Sequence, residues 1–238
     1  MRVAVVTPYH NESTDILRRC HNSVINQSYR DVTHIMVADG DPHPWCSKQP
    51  LEHMVLPCNH SDAGATPRAI GALSAFGRGY DAVAFLDADN WYEPTHIETM
   101  VRIMGSSNVD AVVATRRIYS MDGSMLYVDD IESHPNNDFI DTNCWFLSKR
   151  TSRMMGFWVT DPSDRLVSDK VFYQACKANG LSMAHSTAPT VAYVTRWAWH
   201  YQQAGVDIPG DAVWMMMDAD RNHIQVSERD KGRYVPVT

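Results

Sequence analysis

Short apolar segments alternate with helical patterns over the first 115 residues, and this alternation restricts the fold more than any other feature of the chain. Residues 3–6 (VAVV) form a continuous apolar and β-branched run, which is typical of a strand buried on both faces of a sheet. Apolar residues then recur at every fourth position from Ile16 to Val24, after a cap at Ser13 or Thr14. This spacing predicts a helix with one buried face.

The alternation continues with more apolar runs and more helical patterns. One of the later helices is predicted to have Pro94 at its first position and Gly105 at its end, where these residue types favour helix boundaries. Such an order is typical of α/β proteins with a mainly parallel central sheet flanked by helices. The further predicted strands are residues 34–38, 54–56, 82–86 and 110–114, and the further helices are residues 66–76 and 94–105.

The second half of the chain is less regular. Strands are predicted at residues 144–147 and 191–194, with a helix between them that Ser168 caps and Gly180 ends. The pattern fades after about Asp207, apart from residues 212–217. The predicted organisation is one domain of residues 1–206, with halves 1–115 and 116–206, and a C-terminal tail of residues 207–238.

The composition excludes several classes of protein. The 238 residues include 21 Lys and Arg against 28 Asp and Glu, a net charge of −7, so the chain is a poor binder of nucleic acid or anionic lipid. No apolar run reaches the roughly 18 residues of a membrane span, and the N-terminal run is too short for a signal peptide. Five cysteines without a CxxC spacing predict reduced thiols and a cytoplasmic location.

Polar residues follow three of the predicted strands, and in α/β sheets ligands bind beyond the carboxyl ends of strands. Asp87 and Asp89 come directly after the strand at residues 82–86. Side chains two positions apart point to the same side, so these carboxylates repel each other, and Mg²⁺ or Mn²⁺ relieves that repulsion. The alternative is a solvated turn that favours Asp and Asn.

The order of several motifs resembles the opening of family 2 glycosyltransferases of the GT-A fold, a Rossmann-like α/β domain. Order and spacing match over residues 1–115. The segments that carry the resemblance are residues 5–12 (VVTPYHNE), 23–29 (SVINQSY), 37–40 (VADG), 62–71 (DAGATPRAIG) and 85–90 (FLDADN).

The resemblance implies a nucleotide-diphosphate-sugar donor, with UDP as the expected nucleotide and Mn²⁺ or Mg²⁺ as the expected metal. Asp39 is implied to bind the base edge, although Ala38 stands where a second acid is common, and Arg68 to lie near the base or the diphosphate. Asp89 is implied to hold the metal, and Asp87 to face the ribose or the metal. The residues that the resemblance assigns to the donor are Thr7, Pro8, Tyr9, Glu12, Asp39, Gly40, Arg68, Asp87 and Ala88.

A catalytic base is implied within residues 165–172 (RLVSDKVF), where Asp169 follows Ser168 at the start of a helix. In an inverting reaction Asp169 deprotonates the acceptor hydroxyl, which then attacks the anomeric carbon opposite the leaving diphosphate. Alternatively, Asp169 is a carboxylate that stabilises the helix dipole. Asp141 is either an acceptor contact or a turn acid.

Two histidines are candidates for a further metal ligand. His200 is favoured over His185 because residues 196–201 (RWAWHY) are rich in groups that bind sugars and phosphates. A structural role is the alternative for both. Trp197 and Trp199 either stack on a sugar or pack in the core, and residues 215–217 (MMM) are either an acceptor lid or core filler.

The expected function is metal-dependent, inverting transfer of a sugar to a saccharide or other hydroxyl acceptor. The sequence leaves open whether the chain forms a homo-oligomer. A nucleotidyltransferase requires a glycine-rich loop after the first strand, which residues 7–11 (TPYHN) do not have. A haloacid-dehalogenase-type phosphatase would use Asp87 as its nucleophile, but that motif usually follows the first strand. A protein that binds a nucleotide sugar without turning it over is the third alternative.

Overall fold

The computed structural model describes residues 1–129, 131–137, 139–160, 166–217 and 223–233. Within these residues, a nine-stranded sheet, a separate two-stranded sheet and five α-helices form the fold. The strands are β1 Val3–Tyr9, β2 Val32–Ala38, β3 Glu52–Val55, β4 Ala82–Phe85, β5 Trp91–Tyr92, β6 Ala111–Tyr119, β7 Met125–Asp129, β8 Trp145–Ser148, β9 Met183–Val194, β10 Val213–Met217 and β11 His223–Ser227. The helices are α1 Thr14–Ile25, α2 Ala65–Gly77, α3 His96–Ser107, α4 Ser168–Ala178 and α5 Ala198–Ala204.

The large sheet has the strand order β3-β2-β1-β4-β8-β6-β9-β5, and β7 pairs with β6. β1 is parallel to β2 and β4, β2 is parallel to β3, and β6 is parallel to β9. β8 lies antiparallel between β4 and β6, so β3, β2, β1, β4, β6 and β9 all point the same way. This arrangement confirms the predicted α/β domain with a mainly parallel sheet.

Burial on both faces explains the apolar strands. All seven residues of β1 are buried, and β4 is buried throughout. Helix α2 packs closely on this part of the sheet: a Cβ on Gly71 would lie 2.6 Å from Cγ1 of Val6. Trp158 packs between α2 and α4, with its ring stacked on Phe172 at 4.4 Å between centroids.

Several predicted helix boundaries differ in the structure. The side chain of Ser13 caps α1, as expected. Pro94 lies before α3, which begins at His96, and α3 continues past Gly105 to Ser107, where Asn108 ends it in a left-handed conformation. A Cβ on Gly105 would meet no atom within 4 Å, so nothing at that position requires the helix to end. Ser168 is the first residue of α4 rather than its cap.

The region after residue 207 contains the hairpin of β10 and β11. Ala212 packs with Ala198 and Tyr201 of α5, and Trp197 forms a parallel bridge with Val213. The domain division at residue 206 stays a prediction, and Arg165 of the predicted base motif lies outside the described residues. None of the described helices is long and apolar enough to cross a bilayer.

Candidate active site

A cavity of about 480 Å³ lies at the carboxyl ends of β1, β2 and β4. Because these strands are parallel neighbours, the polar residues that follow them meet at one edge of the sheet, as predicted. The opposite wall comes from the end of β9 and the segment after it, through Tyr193, Arg196 and Trp197. The predicted donor or metal residues that line this cavity are Pro8, Tyr9, Glu12, Asp39, Asp87, Ala88 and Asp89.

Thr7 and Gly40 do not line the cavity but lie behind it. Thr7 is fully buried, and its hydroxyl is 2.9 Å from Nε2 of His34. Gly40 has a φ of 85°, and a Cβ there would lie 2.4 Å from the backbone nitrogen of Asn59. Gly40 therefore allows the loop at residues 58–64 to close against the end of β2.

That loop fixes the carboxylate of Asp39, which is only 5% exposed. The backbone N–H of His60 donates to Oδ2 of Asp39 at 3.1 Å, and Nδ1 of His60 lies 2.6 Å from Oδ1. Ser61 and Ala63 have φ values of 54° and 56°, a left-handed backbone that costs roughly 1–2 kcal/mol at each residue. Strain of this kind is common at functional sites. No local sequence pattern indicates the contact with His60, because that contact depends on how the loop closes.

The carboxylate of Asp87 is oriented by two neighbours. Nη2 of Arg68 donates to Oδ1 at 2.7 Å, and Nδ2 of Asn143 donates to Oδ2 at 3.0 Å. The side chain of Asn143 also accepts from the backbone N–H of Asp87 at 2.6 Å. The donor prediction did not include Asn143, which reaches Asp87 from 56 positions further along the chain.

Arg68 is expected near the base or the diphosphate, whereas the structure places it behind Asp87. It is 3% exposed, does not line the cavity, and its guanidinium lies 4.9 Å from the ring centroid of Trp158. The ring of Trp158 covers the guanidinium, and the salt bridge with Asp87 holds it at the base of the site. Arg68 is therefore placed to orient Asp87.

Asp89, in this first cavity, has a strongly raised pKa. Burial, together with the nearby charges of Asp87 and Glu12, raises its pKa to about 7. Its carboxylate oxygens are hard ligands of the kind that Mg²⁺ and Mn²⁺ prefer, and a cation would relieve this repulsion. Among the described residues, no group of three or more His, Cys, Asp or Glu side chains is arranged to hold a metal alone. Asp87 and Asp89 thus fit a divalent cation, which would take its remaining ligands from phosphate and water.

His200 and His185 do not line the cavity that contains these carboxylates. His200 is 1% exposed; its Nδ1 is 2.6 Å from Oγ1 of Thr195, and its Nε2 is 3.2 Å from a carboxylate oxygen of Glu132. Nε2 of His185 is 3.0 Å from Oγ1 of Thr115. The structure therefore does not bring His200 together with Asp89, and both ring nitrogens of His200 already face protein partners.

A second cavity, of about 380 Å³, adjoins the first and shares Tyr193 and Trp197 with it. Asp169 and Asp141 both line this second cavity. Burial, followed by the charge of Asp141, raises the pKa of Asp169 to about 7. The backbone N–H of Lys170 donates to Asp169 at 2.7 Å, which is the interaction expected of an acid in a first helical turn.

A buried arginine organises the far wall of the second cavity. Arg116 is 1% exposed and forms salt bridges with Asp129 at 2.8 Å, Asp141 at 2.7 Å and Glu132. Its guanidinium lies 4.5 Å from the ring centroid of Tyr193. This cluster was not predicted from the sequence. The available signal was a charged residue within an apolar strand, since such a residue is buried only when it is paired.

Residues 4–161, which are more than half of the chain, match the family model described as "Glycosyl transferase family 2". The chain therefore belongs to glycosyltransferase family 2, which confirms the resemblance read from the sequence. Membership in this family also removes the phosphatase alternative. Asp87, which that alternative would use as its nucleophile, is held by Arg68 and Asn143.

Glycosyltransferase GlyA of Streptococcus pneumoniae serotype 4 is 22% identical over 178 residues, which cover 73% of this chain and 25% of that protein. The structure of S. aureus TarS 1-349 in complex with UDP has a TM-score of 0.64 and 13% identity, over 86% of this chain and 63% of that chain. The complex with UDP-GlcNAc gives a TM-score of 0.65 and 13% identity, over 85% and 61%. The chain thus spans a quarter of GlyA and less than two thirds of the TarS chains, and the TarS likeness supports the GT-A fold.

Proposed function

We propose that the chain transfers a sugar from a UDP-sugar to a hydroxyl acceptor, with inversion and with the help of Mn²⁺ or Mg²⁺. The observation that carries the proposal is the adjacency of the two cavities across Tyr193 and Trp197. One cavity holds the repelling carboxylates Asp87 and Asp89, and the other holds Asp169. A donor in the first cavity and an acceptor in the second would meet at the shared wall. The first is therefore called the donor cavity and the second the acceptor cavity.

The charge of the first cavity supports a metal-loaded donor. Five acidic residues line it, and Arg196 is the one Lys or Arg among its described lining residues. A nucleoside diphosphate enters such a site only with a compensating cation. Asp89 and Asp87 would hold this cation, which stabilises the negative charge that develops on the leaving diphosphate. Arg196 is exposed at the cavity wall and would bind the diphosphate from the other side.

UDP is proposed as the nucleotide because TarS, which shares the fold, has been solved with UDP and with UDP-GlcNAc. Asp39 lies at the end of the donor cavity formed by β2 and the loop at residues 58–64. Its fixed carboxylate would accept a hydrogen bond from the base edge. The sugar carried by the donor is left open.

Asp169 is proposed as the base. A group with a pKa of about 7 is partly ionised at neutral pH and still basic enough to accept a proton. In the reaction, the acceptor oxygen forms its bond to the anomeric carbon as its proton passes to Asp169. The bond from that carbon to the diphosphate breaks, and the nucleoside diphosphate leaves with the electron pair. Inversion is proposed because Asp169 lines the acceptor cavity and not the donor cavity.

Four of the five cysteines are buried, Cys58 is exposed, and all five are free thiols. Exposed free thiols persist in reducing compartments, which supports the proposal of a cytoplasmic enzyme. Blocking of Cys58 by a thiol reagent in intact cells, with no disulfide found, is the expected result.

The donor proposal is tested by calorimetry with UDP, with and without Mn²⁺. We expect Mn²⁺ to tighten UDP binding by about tenfold or more, and Asp89→Asn to abolish that gain. Asp15→Asn, in the exposed first turn of α1, is the matched control and should bind like the wild type. A UDP affinity that changes neither with Mn²⁺ nor in Asp89→Asn would overturn the metal-dependent mechanism.

The catalytic proposal is tested with Asp169→Asn, which should bind UDP like the wild type and transfer no sugar. This result would also exclude the alternative of a protein that binds a nucleotide sugar without turning it over, provided that the wild type transfers. Full transfer by Asp169→Asn would show that another group is the base.

A further inference from the structure

We infer that the acceptor, given the proposed transfer, is an uncharged saccharide, and that acceptors bearing phosphate or carboxylate groups are excluded. The inference rests on the chemistry of the second cavity, which combines fixed carboxylates with aromatic side chains. It narrows the proposed acceptor from any hydroxyl compound to one chemical class.

The charge of the cavity opposes an anionic acceptor. Glu132, Asp141 and Asp169 line it with three carboxylates, against the cations Arg116 and Lys170. The charge of Arg116 is already shared among three carboxylates, because it also pairs with Asp129. A phosphate group in this cavity would therefore meet three carboxylates against Lys170, which is exposed to solvent, and Arg116, which is already engaged.

The walls of the same cavity suit a sugar ring. Trp197 and Trp199 stack on each other at 4.4 Å between ring centroids, and Phe139 also lines the cavity. Aromatic rings pack well against the apolar faces of sugars, and pockets of this size combine apolar walls with a few fixed polar groups. Sugar hydroxyls donate strong hydrogen bonds to carboxylates, which Glu132 and Asp141 present here. Within the described residues, Nε1 of Trp199 is a buried donor without a hydrogen-bond partner.

The base gives a second reason for excluding anions. The charge of Asp141 already helps to raise the pKa of Asp169 to about 7 after burial. A further negative charge on the acceptor would raise that pKa again and keep Asp169 protonated at neutral pH. An anionic acceptor would thus bind poorly and would also disable the group that must take its proton.

The test is a glycan array with matched pairs, in which each neutral saccharide stands beside the same saccharide carrying a phosphate or a uronic acid. The full chain is labelled and applied together with UDP and Mn²⁺. UDP carries no sugar, so only binding is measured. We expect signal on neutral members to exceed that on their acidic partners by about tenfold or more. Equal or stronger binding to acidic members overturns the inference, and so does binding to no saccharide by protein that still binds UDP.

Two variants keep the test specific to charge. Glu132→Gln and Asp169→Asn each remove one lining carboxylate, and each should reduce the ratio of neutral to acidic binding by about threefold or more. Glu93→Gln is the control, because Glu93 pairs with Arg117 at 3.0 Å and does not line the cavity. An unchanged ratio in both cavity variants, with folding verified by thermal unfolding, contradicts the inference. Loss of UDP binding with retained saccharide selectivity would instead overturn the proposed donor and leave this inference standing.

Discussion

The indole N–H of Trp197 donates a hydrogen bond to the hydroxyl of Tyr193 at 3.1 Å, and both side chains line the donor cavity and the acceptor cavity. The wall between the two cavities is therefore a hydrogen-bonded pair. Tyr193 is held from behind by the guanidinium of Arg116, 4.5 Å from its ring centroid. A change in this pair should affect transfer more than the binding of either substrate.

Tyr193→Phe removes the hydroxyl that positions Trp197 while keeping the ring over Arg116. The loss of one hydrogen bond costs about 0.5–1.5 kcal/mol, so we expect kcat for transfer to fall by up to about tenfold while UDP affinity changes little. Kinetics and calorimetry measure the two effects separately. Tyr29→Phe, which removes a surface hydrogen bond to the carbonyl of Met1, should leave both unchanged.

The rate of transfer should depend on pH through Asp169. Its pKa is about 7 because burial and the charge of Asp141 disfavour the ionised form, and the ionised form is the proposed base. At saturating donor and acceptor, the rate should rise about tenfold per pH unit below this value and level off above it. A rate that is constant between pH 5 and 8 would contradict the role of Asp169.

The same raised pKa predicts that Asp169 lowers stability. An acid with a folded-state pKa of about 7, against a reference of 3.8, binds its proton more tightly in the folded chain, so stability falls as pH rises through this window. Asp169→Asn removes the charge and should raise the melting temperature at pH 8, by about 2–4 °C for each kcal/mol gained. Thermal unfolding at pH 8 and pH 4 provides the measurement. The gain should be much smaller at pH 4, and a variant less stable than wild type at pH 8 would be the opposite result.

Removing Arg116 should destabilise the fold strongly. Arg116→Met leaves Asp129, Glu132 and Asp141 close together without their shared cation, and breaking a buried ion pair from one side costs about 3–5 kcal/mol. Urea unfolding of Arg116→Met and of Arg150→Met gives the comparison, since Arg150 pairs with Asp110 at the surface. We expect the second variant to lose less than about 1 kcal/mol. Similar losses in the two variants would show that the buried cluster contributes no special stability.

Gly40→Ala tests whether the loop at residues 58–64 shapes the donor site, and Gly105→Ala tests helix propensity within α3. Gly40→Ala places a methyl group 2.4 Å from the backbone of Asn59 at a φ of 85°, so the loop that holds Asp39 must move. We expect UDP affinity to fall by about tenfold or more. Gly105→Ala lies within α3, where a Cβ meets no atom within 4 Å, and should gain about 0.5–1 kcal/mol of stability. Normal UDP binding by Gly40→Ala would show that the loop does not shape the donor site.

The features that the sequence predicted correctly depend on short segments. Continuous apolar runs predict β1 and β4 because burial on both faces is a property of the segment itself. The strand ends carry Asp39, Asp87 and Asp89 into one cavity because parallel neighbours share an edge. The sequence also predicts β8 as a strand. Its antiparallel direction is not predicted, because direction depends on chain connections that periodicity does not encode.

The features that the sequence did not predict depend on contacts between distant segments. Asn143 reaches Asp87 across 56 positions and His200 reaches Arg116 across 84, and no local pattern encodes such a pair. The resemblance implies a position for Arg68 near the base or the diphosphate, but the ring of Trp158 and the salt bridge with Asp87 fix its position behind Asp87. The metal role of His200 stays a prediction that its buried position does not favour.

The ring of Trp158 lies between two parts of the site and lines neither cavity. One side lies by Arg68, which orients Asp87, and the other stacks on Phe172, one turn of α4 beyond Asp169. Trp158 thus acts as a spacer that sets the separation between the Arg68–Asp87 pair and helix α4, which carries Asp169. Phe139 and Trp199 in the wall of the second cavity belong to other segments, so a change at these two positions needs no change in that separation.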